Sequence, residues 1–293
     1  MSLELRHIRY FLAAAEEQHF TRAAAKIGIG QPPLSQQIKD LEEEVGAILF
    51  HRVAHGVVLT EAGKVFQAGV RELPHLAEMA ASAARRAALG QTGSLRVGFT
   101  SSAPFNLAMS SAIRAFRRAY VDVHLTLEEA TVERLVSGLT DATLDAAFLR
   151  PTPGHDEIQF HLLSEEPMVV ALPTSHSAAA RKEIDLAFLK DDPFVLFPRE
   201  IAPTVYDAVF AACRKAGFEP AISQLAPQTG LIVNLVAAEL GVAVVPASMR
   251  QLRVKGVAYR PIAGEPLTVK LALAHRRGEN SPVVRNFIAG AIS

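Results

Sequence analysis

Only one cysteine, Cys213, stands among the 293 residues. No internal disulfide can form, and nothing else points to an oxidising compartment. Long apolar runs are missing as well: none reaches the about 18 residues that a membrane span requires. The start, Met1-Ser2-Leu3-Glu4-Leu5-Arg6, leads into an amphipathic pattern and not into a charged segment followed by an apolar block, so no signal peptide and a cytoplasmic location are expected. Charge of one sign is also lacking, since 30 Lys/Arg balance 30 Asp/Glu. Residues 1–60 carry six Lys/Arg against seven Asp/Glu, so the broad basic footprint of many nucleic-acid binders is missing there too. Any such role must rest on where the charges sit. What remains is a globular composition, 49% hydrophobic and 20% charged, long enough for two domains or one large α/β domain.

Catalytic signatures are equally scarce. The sequence has no Gly-x-Ser-x-Gly elbow, no Walker sequence and no Gly-x-Gly-x-x-Gly after a strand. Its ten histidines are scattered. His51 and His55 stand four apart, but in a turn and without a Cys or carboxylate at ligand spacing. No enzyme, metal site or cofactor is expected. Cys213 is followed by Arg214 and Lys215, which fits a reactive thiol, but a cysteine packed inside a helix is the reading preferred.

Apolar periodicity organises the first ninety residues. Leu5, Ile8, Phe11, Leu12 and Ala15 recur at helical spacing. Phe20-Thr21 reads as a hydrophobic residue followed by an N-cap, opening a short helix from Arg22 to Ile27 that Gly28 ends. After the turn Gly28-Ile29-Gly30, a third helix begins near Gln31-Pro32-Pro33, where proline is tolerated because first-turn N–H groups lack partners anyway. Leu34, Ile38, Leu41 and Val45 form its buried stripe, and Gly46 stands at its end. Two short helices joined by a tight turn make a helix-turn-helix whose second helix reads the groove. Ile48–Phe50 and Val57–Leu59 flank a polar turn as a small hairpin, or wing. Thr60 caps an Ala-rich helix to about Leu89, which Pro74 should kink. Gln91-Thr92-Gly93-Ser94 reads as a linker.

From Leu95 onward, short apolar strands alternate with helical stretches, the signature of an α/β architecture with largely parallel sheets. Nine strands are many for one sheet, so two lobes are expected, with crossovers near residues 163 and 266. The domain reading is therefore a winged helix-turn-helix over 1–60, a linker helix over 61–92, and a sensor domain over 93–293. Its first lobe holds 93–163 and 267–293, and its second holds 164–266.

Residues 20–63 closely resemble the DNA-binding region of LysR-type transcriptional regulators. The likeness runs through Phe20-Thr21-Arg22-Ala23-Ala24-Ala25, Gln31-Pro32-Pro33-Leu34-Ser35-Gln36-Gln37-Ile38, Leu41-Glu42-Glu43-Glu44-Val45-Gly46, Leu49-Phe50-His51-Arg52 and Leu59-Thr60-Glu61-Ala62-Gly63. It continues more weakly through Asp145-Ala146-Ala147-Phe148 and Leu240-Gly241-Val242-Ala243-Val244-Val245-Pro246. Two positions depart from the pattern: Gly30 stands where many members have Ser, and Gln36 where many have Arg. The second departure should change the operator sequence preferred. The resemblance implies a sensor of two Rossmann-like lobes, akin to periplasmic binding proteins, with an effector in the cleft between them. It also implies dimerisation through the 61–89 helix, commonly a homotetramer on operator DNA, and RNA polymerase as a further partner. The sensor looks most like those answering muconate-type and aromatic acids.

On the DNA side, Gln31, Ser35 and Gln36 would meet base edges, and Pro32 and Pro33 would pack on thymine methyls. Thr21, Arg22, Arg52, His55 and Thr60 are the candidate phosphate contacts. Glu42, Glu43 and Glu44 should point away from the phosphates. So few cations per subunit argue for several subunits on one site. In the sensor, Thr100, Ser101 and Ser102 follow the first strand, where a carboxylate would be held by hydroxyls and helix N–H groups; ordinary N-capping would place the same residues there. Thr131 occupies the equivalent place after the second strand. Arg150, following Phe148 at the end of the third strand, is a carboxylate clamp or a solvated surface arginine. Pro203, Thr204 and Val205 open a second-lobe helix on the other side. A small acidic effector is expected. The competing readings are a small-molecule-binding protein with the same lobes and no regulatory role, an α/β enzyme with a helical appendage, and an architectural DNA binder.

Overall fold

The computed structural model describes residues 3–292, which divide into two compact units, one ending at Arg86 and the other beginning at Ala87. The first holds α1 (Leu5–Glu17), α2 (Phe20–Ile27), α3 (Gln31–Val45), β1 (Phe50–Val53), β2 (Gly56–Leu59), α4 (Glu61–Val70) and most of α5 (Leu73–Ala88). Its core is the expected apolar stripe. Ile8, Phe11, Leu34, Ile38, Leu41, Leu49 and Phe50 are buried together, at about 1.5–3 kcal/mol for each large side chain. The Phe11 ring packs edge-on against Phe66, with centroids 5.0 Å apart, and tilted against Phe50 at 5.2 Å.

The caps differ from expectation at one end. The cap of α2 is His19, not Thr21: His19 has an extended backbone, and its Nδ1 accepts from Thr21 N at 3.2 Å. Thr60 caps α4, its hydroxyl accepting from Gly63 N at 2.9 Å and donating to Ile48 O at 2.8 Å. The continuous helix expected to Leu89 is broken at Arg71-Glu72. Within one helix, Pro74 would crowd the carbonyl of Val70 and leave it without a donor. The break instead puts Pro74 in the first turn of α5, where its missing N–H removes nothing.

The second unit holds β3 (Thr92–Phe99), α6 (Leu107–Ala119), β4 (Asp122–Glu129), α7 (Val132–Thr140), β5 (Ala146–Leu149) and the long β6 (Ile158–Pro173). It continues through β7 (Pro193–Leu196), α8 (Pro203–Lys215), β8 (Ala221–Leu225), α9 (Thr229–Ala237), β9 (Ala243–Pro246), β10 (Val257–Pro261), β11 (Thr268–Arg276) and α10 (Pro282–Ile292). Thr92, Gly93 and Ser94, expected in a linker, open β3 and pair with Asp122, Val123 and His124. The sheet is mixed, not largely parallel. β4, β3 and β5 run parallel as crossovers through helices require, whereas β11 lies antiparallel between β5 on one side and β6 on the other. β6 passes between the lobes: residues up to Pro167 pair with β11, and Met168 to Pro173 pair with β9 and β10. The two lobes have separate cores, one around Phe116, Phe148 and Phe287, the other around Phe194, Val209 and Val244. Arg96 forks onto Asp145, with Nη2 at 2.8 Å from Oδ1 and Nε at 3.2 Å from Oδ2, and so ties β3 to the start of β5.

Gly63 is tightly packed in the first unit, since a Cβ there would stand 2.2 Å from Leu49 O. Gly63→Ala should therefore force α4 off the wing and cost about 1–3 kcal/mol. Thermal unfolding followed by circular dichroism checks this, and an unchanged midpoint would mean that α4 and the wing part freely.

Candidate functional site

The first unit presents its polar residues on and around α3. Gln31, Pro32, Pro33 and Gln36 are exposed there and Ser35 is half-buried. Proline at its first positions and the left-handed Gly46 at its end fix its length. Gln31, Pro32, Ser35 and Gln36 share a depression of about 430 Å³ with Arg52 of the wing. Lys39, which the sequence reading passed over, lines it too; being one turn on from Ser35, it was visible as part of the same face. The α3 side chains are held ready: Gln31 Nε2 donates to Ser35 Oγ at 2.8 Å, and Gln36 Nε2 to Asp40 Oδ1 at 2.7 Å.

The remaining candidates divide. Thr21 and His55 are exposed. Arg22 is exposed but bent back, its Nη2 donating to Glu17 O at 2.5 Å. Thr60 has both hydroxyl roles taken inside the unit, so capping replaces the phosphate contact expected of it. Of the three glutamates expected to point away from the phosphates, Glu42 turns to the wing and accepts from Leu49 N at 2.7 Å and Phe50 N at 3.0 Å. That carboxylate fixes β1 against α3.

In the second unit, the carboxyl ends of β3, β4 and β5 and the starts of α8 and α9 surround a cavity of about 450 Å³ between the lobes. Thr100, Ser101, Ser102, Thr131 and Arg150 line it from the first lobe, and Pro203, Thr204 and Val205 from the second. Phe148 does not. It is fully buried, its ring edge-on to Phe287 with centroids 5.9 Å apart, because β5 turns that side chain toward α10. Only its carbonyl reaches toward the site, accepting from Thr100 N at 3.1 Å. Glu129, Phe197, Ile201, Pro227, Gln228 and Pro246 also line the cavity. They come from strand ends and loops whose convergence is set by chain crossings between lobes, so no local pattern announced them.

Arg150 is 6% exposed, which excludes a solvated surface arginine. Its Nη2 lies 3.4 Å from Ser102 Oγ and its Nη1 3.3 Å from Lys270 O. The nearest carboxylate, Glu166, stands off at 3.9 Å, because its oxygens accept from Ser248 N at 2.8 Å and Asn106 Nδ2 at 3.2 Å. Burial lowers the Arg150 pKa, and Glu166 opposes that shift. A guanidinium with five donors is thus held beside the cavity on long contacts only. Thr100 Oγ1 is buried without a partner. Such donors suit a carboxylate, and each left unmade costs about 1–3 kcal/mol. Ser101 Oγ and Thr229 Oγ1 meet across the lobes at 3.1 Å. Thr131 caps α7, its Oγ1 3.4 Å from Arg134 N.

Comparison with known proteins follows this division. Residues 5–64 match the bacterial regulatory helix-turn-helix protein, lysR family, and residues 88–291 match the LysR substrate binding domain. The uncharacterized HTH-type transcriptional regulator YnfL of Escherichia coli (strain K12) is 40% identical over 288 residues, covering 98% of this chain and 97% of its own. Full-length CbnR complexed with its target DNA superposes with a TM-score of 0.84 at 28% identity, over 99% of this chain and 98% of that one. The effector binding domain of BenM with its effector benzoate gives 0.61 at 26% identity, covering 68% of this chain and 90% of that one.

Cys213 is fully buried on α8, and burial pushes its thiol up to about 11. That favours the helix-packing reading over a reactive thiol. Its contribution to stability should be complete below the ordinary value near 9.0 and decline as pH rises from there through about 11. Native protein at pH 8 should not react with a thiol-exchange reagent until it is unfolded; stoichiometric reaction of the folded chain would contradict this.

Proposed function

The chain belongs to the LysR family of transcriptional regulators, and we propose that a small carboxylate held on Arg150 controls its binding to operator DNA. Its HTH and effector-binding regions make it a DNA-binding regulator with a small-molecule effector domain. Among the described residues no helix is long and apolar enough to cross a membrane, and action in the cytoplasm fits a protein whose target is DNA.

One observation carries the acidic effector: a buried guanidinium, with an unpartnered Thr100 hydroxyl in the same cavity wall, faces a space of about 450 Å³. The carboxylate would take two forked N–H donors of Arg150, with Thr100 and Ser102 beside it. Pro203, Val205, Phe197 and Ile201 would cover the apolar body, and the first-turn N–H groups of α8 at Thr204 and Val205 would face it. Benzoate, the effector named for BenM, and other aromatic or muconate-type acids form the first panel to test. By favouring one arrangement of the lobes, the ligand shifts the regulator between states.

Gln31, Pro32, Pro33, Ser35 and Gln36 would read the major groove, with Thr21, Arg22, Arg52 and His55 on the phosphates. The four carry at most three full charges, so affinity would come from several subunits. The apolar face of α5 supports this: Leu73, Leu76 and Met79 are exposed, and no residue of that helix is buried. We assign that face to a homodimer, with pairs of dimers forming a homotetramer on DNA and RNA polymerase as the partner of an activating complex.

Two outcomes are expected. Arg150→Ala should weaken binding of the acid roughly 10- to 100-fold while a mobility shift with the intergenic DNA upstream of the gene stays unchanged. Footprinting with and without acid reads the coupling directly. Equal acid affinity and an equal footprint response in the variant would remove the clamp, and binding no tighter than to random DNA would remove operator recognition. Leu76→Glu combined with Met79→Glu should convert the oligomer to monomers in light scattering and lower operator affinity; an unchanged mass would place the interface elsewhere.

A further inference from the structure

We infer that Glu129 makes the cleft selective for monocarboxylates over dicarboxylates, an inference that rests on the acid-effector reading above. It follows from the charges around the cavity. Among the described residues, Arg150 is the one cationic side chain lining it and Glu129 the one carboxylate. Behind the wall, Glu166 stands 3.9 Å from Arg150. The lining therefore carries one positive and one negative side chain, and Glu166 already faces the positive one.

A monoanion is drawn in by the unmet donors of Arg150 and Thr100 and by the exclusion of water from its apolar body. A second carboxylate has no second cation to meet. It meets the Glu129 carboxylate instead, in a cleft whose apolar walls strengthen the repulsion relative to open water.

The placement of Glu129 is set by the fold. It is the last residue of β4, in register with Phe99 of β3, and Ala130 N donates to Phe99 O at 3.1 Å. The carboxyl edge of this sheet is also where Thr100, Ser101 and Ser102 begin. Its neighbour Glu128 is turned toward Arg134, at 3.9 Å, whereas no cation is paired with Glu129 among the described residues.

The test uses pairs of acids that share a carbon skeleton, sorbate against trans,trans-muconate and benzoate against terephthalate. Each is titrated calorimetrically into the full-length wild type and into Glu129→Gln at pH 7.5. Wild type should bind the monocarboxylate of each pair at least about tenfold more tightly. Glu129→Gln should narrow that ratio by roughly five- to tenfold, mainly by improving the dicarboxylate. Raising the salt concentration should narrow the wild-type ratio as well. An equal ratio in wild type and variant, with all four acids bound, overturns the charge filter and leaves the acid-effector reading intact. Failure of wild type to bind any of the four overturns both. Glu129→Asp serves as the check on fold and size: it keeps the charge and should keep the discrimination.

Discussion

A positive charge buried without a close counter-charge is the constraint around which the second unit is arranged. Taking a guanidinium out of water is costly unless its donors are met, and Glu166 is near enough to hold Arg150 yet not close enough to satisfy it. The reason lies in the fold. Glu166 stands on β6 just before that strand leaves one lobe for the other, and its carboxylate takes the backbone of Ser248 and the amide of Asn106. Those bonds bring segments of both lobes to one carboxylate. The same residue thus fixes the lobe junction and leaves Arg150 under-coordinated beside the cleft. A ligand carboxylate would complete the arginine while touching α8 and α9 of the opposite lobe, which ties occupancy to lobe position.

The first unit meets a different requirement with equally few charges. Affinity for DNA ordinarily comes from phosphate neutralisation, but this unit has no net basic excess. Its lysines and arginines are partly absorbed internally: Lys26 is engaged by Glu16 and Glu17, and Arg22 by the end of α1. What it offers is shape and exposed amides on a helix of fixed length, braced by Glu42 against the wing. Specificity without strong single-unit affinity is consistent with a protein that acts as an assembly.

Much of this was legible in the sequence, because local rules govern the elements concerned. The stripe Leu34, Ile38, Leu41, the glycines closing α2 and α3, and the cap at Thr60 are each decided within a few residues. So were most strands of the sensor, whose apolar runs are short and bounded. Other features were not legible. The first half of β6, from Ile158 to Glu166, has a half-exposed pattern containing His161, Ser164 and two glutamates, and its register against β11 shifts near Leu271; such a segment looks like a loop until its partner strand is known. α10 (Pro282–Ile292) went unread behind the polar stretch Arg276-Arg277-Gly278-Glu279-Asn280-Ser281. At the site, Thr100–Ser102 and Arg150 followed from their positions at strand ends, whereas Phe148 was misplaced because the sequence does not say which face of a four-residue buried strand meets the cavity. Glu129, Gln228 and Phe197 join the site through contacts between distant segments, which no local period encodes.

The account stands most directly on where an acid sits. A crystal structure of the full-length protein grown with benzoate, the acid of the BenM comparison, would show it. The account predicts the carboxylate within hydrogen-bond distance of both the Arg150 guanidinium and Thr100 Oγ1, with Glu166 still on Ser248 N and Asn106. An acid bound away from the cleft, or Arg150 closed onto Glu166 beside a ligand that touches neither Arg150 nor Thr100, would contradict it.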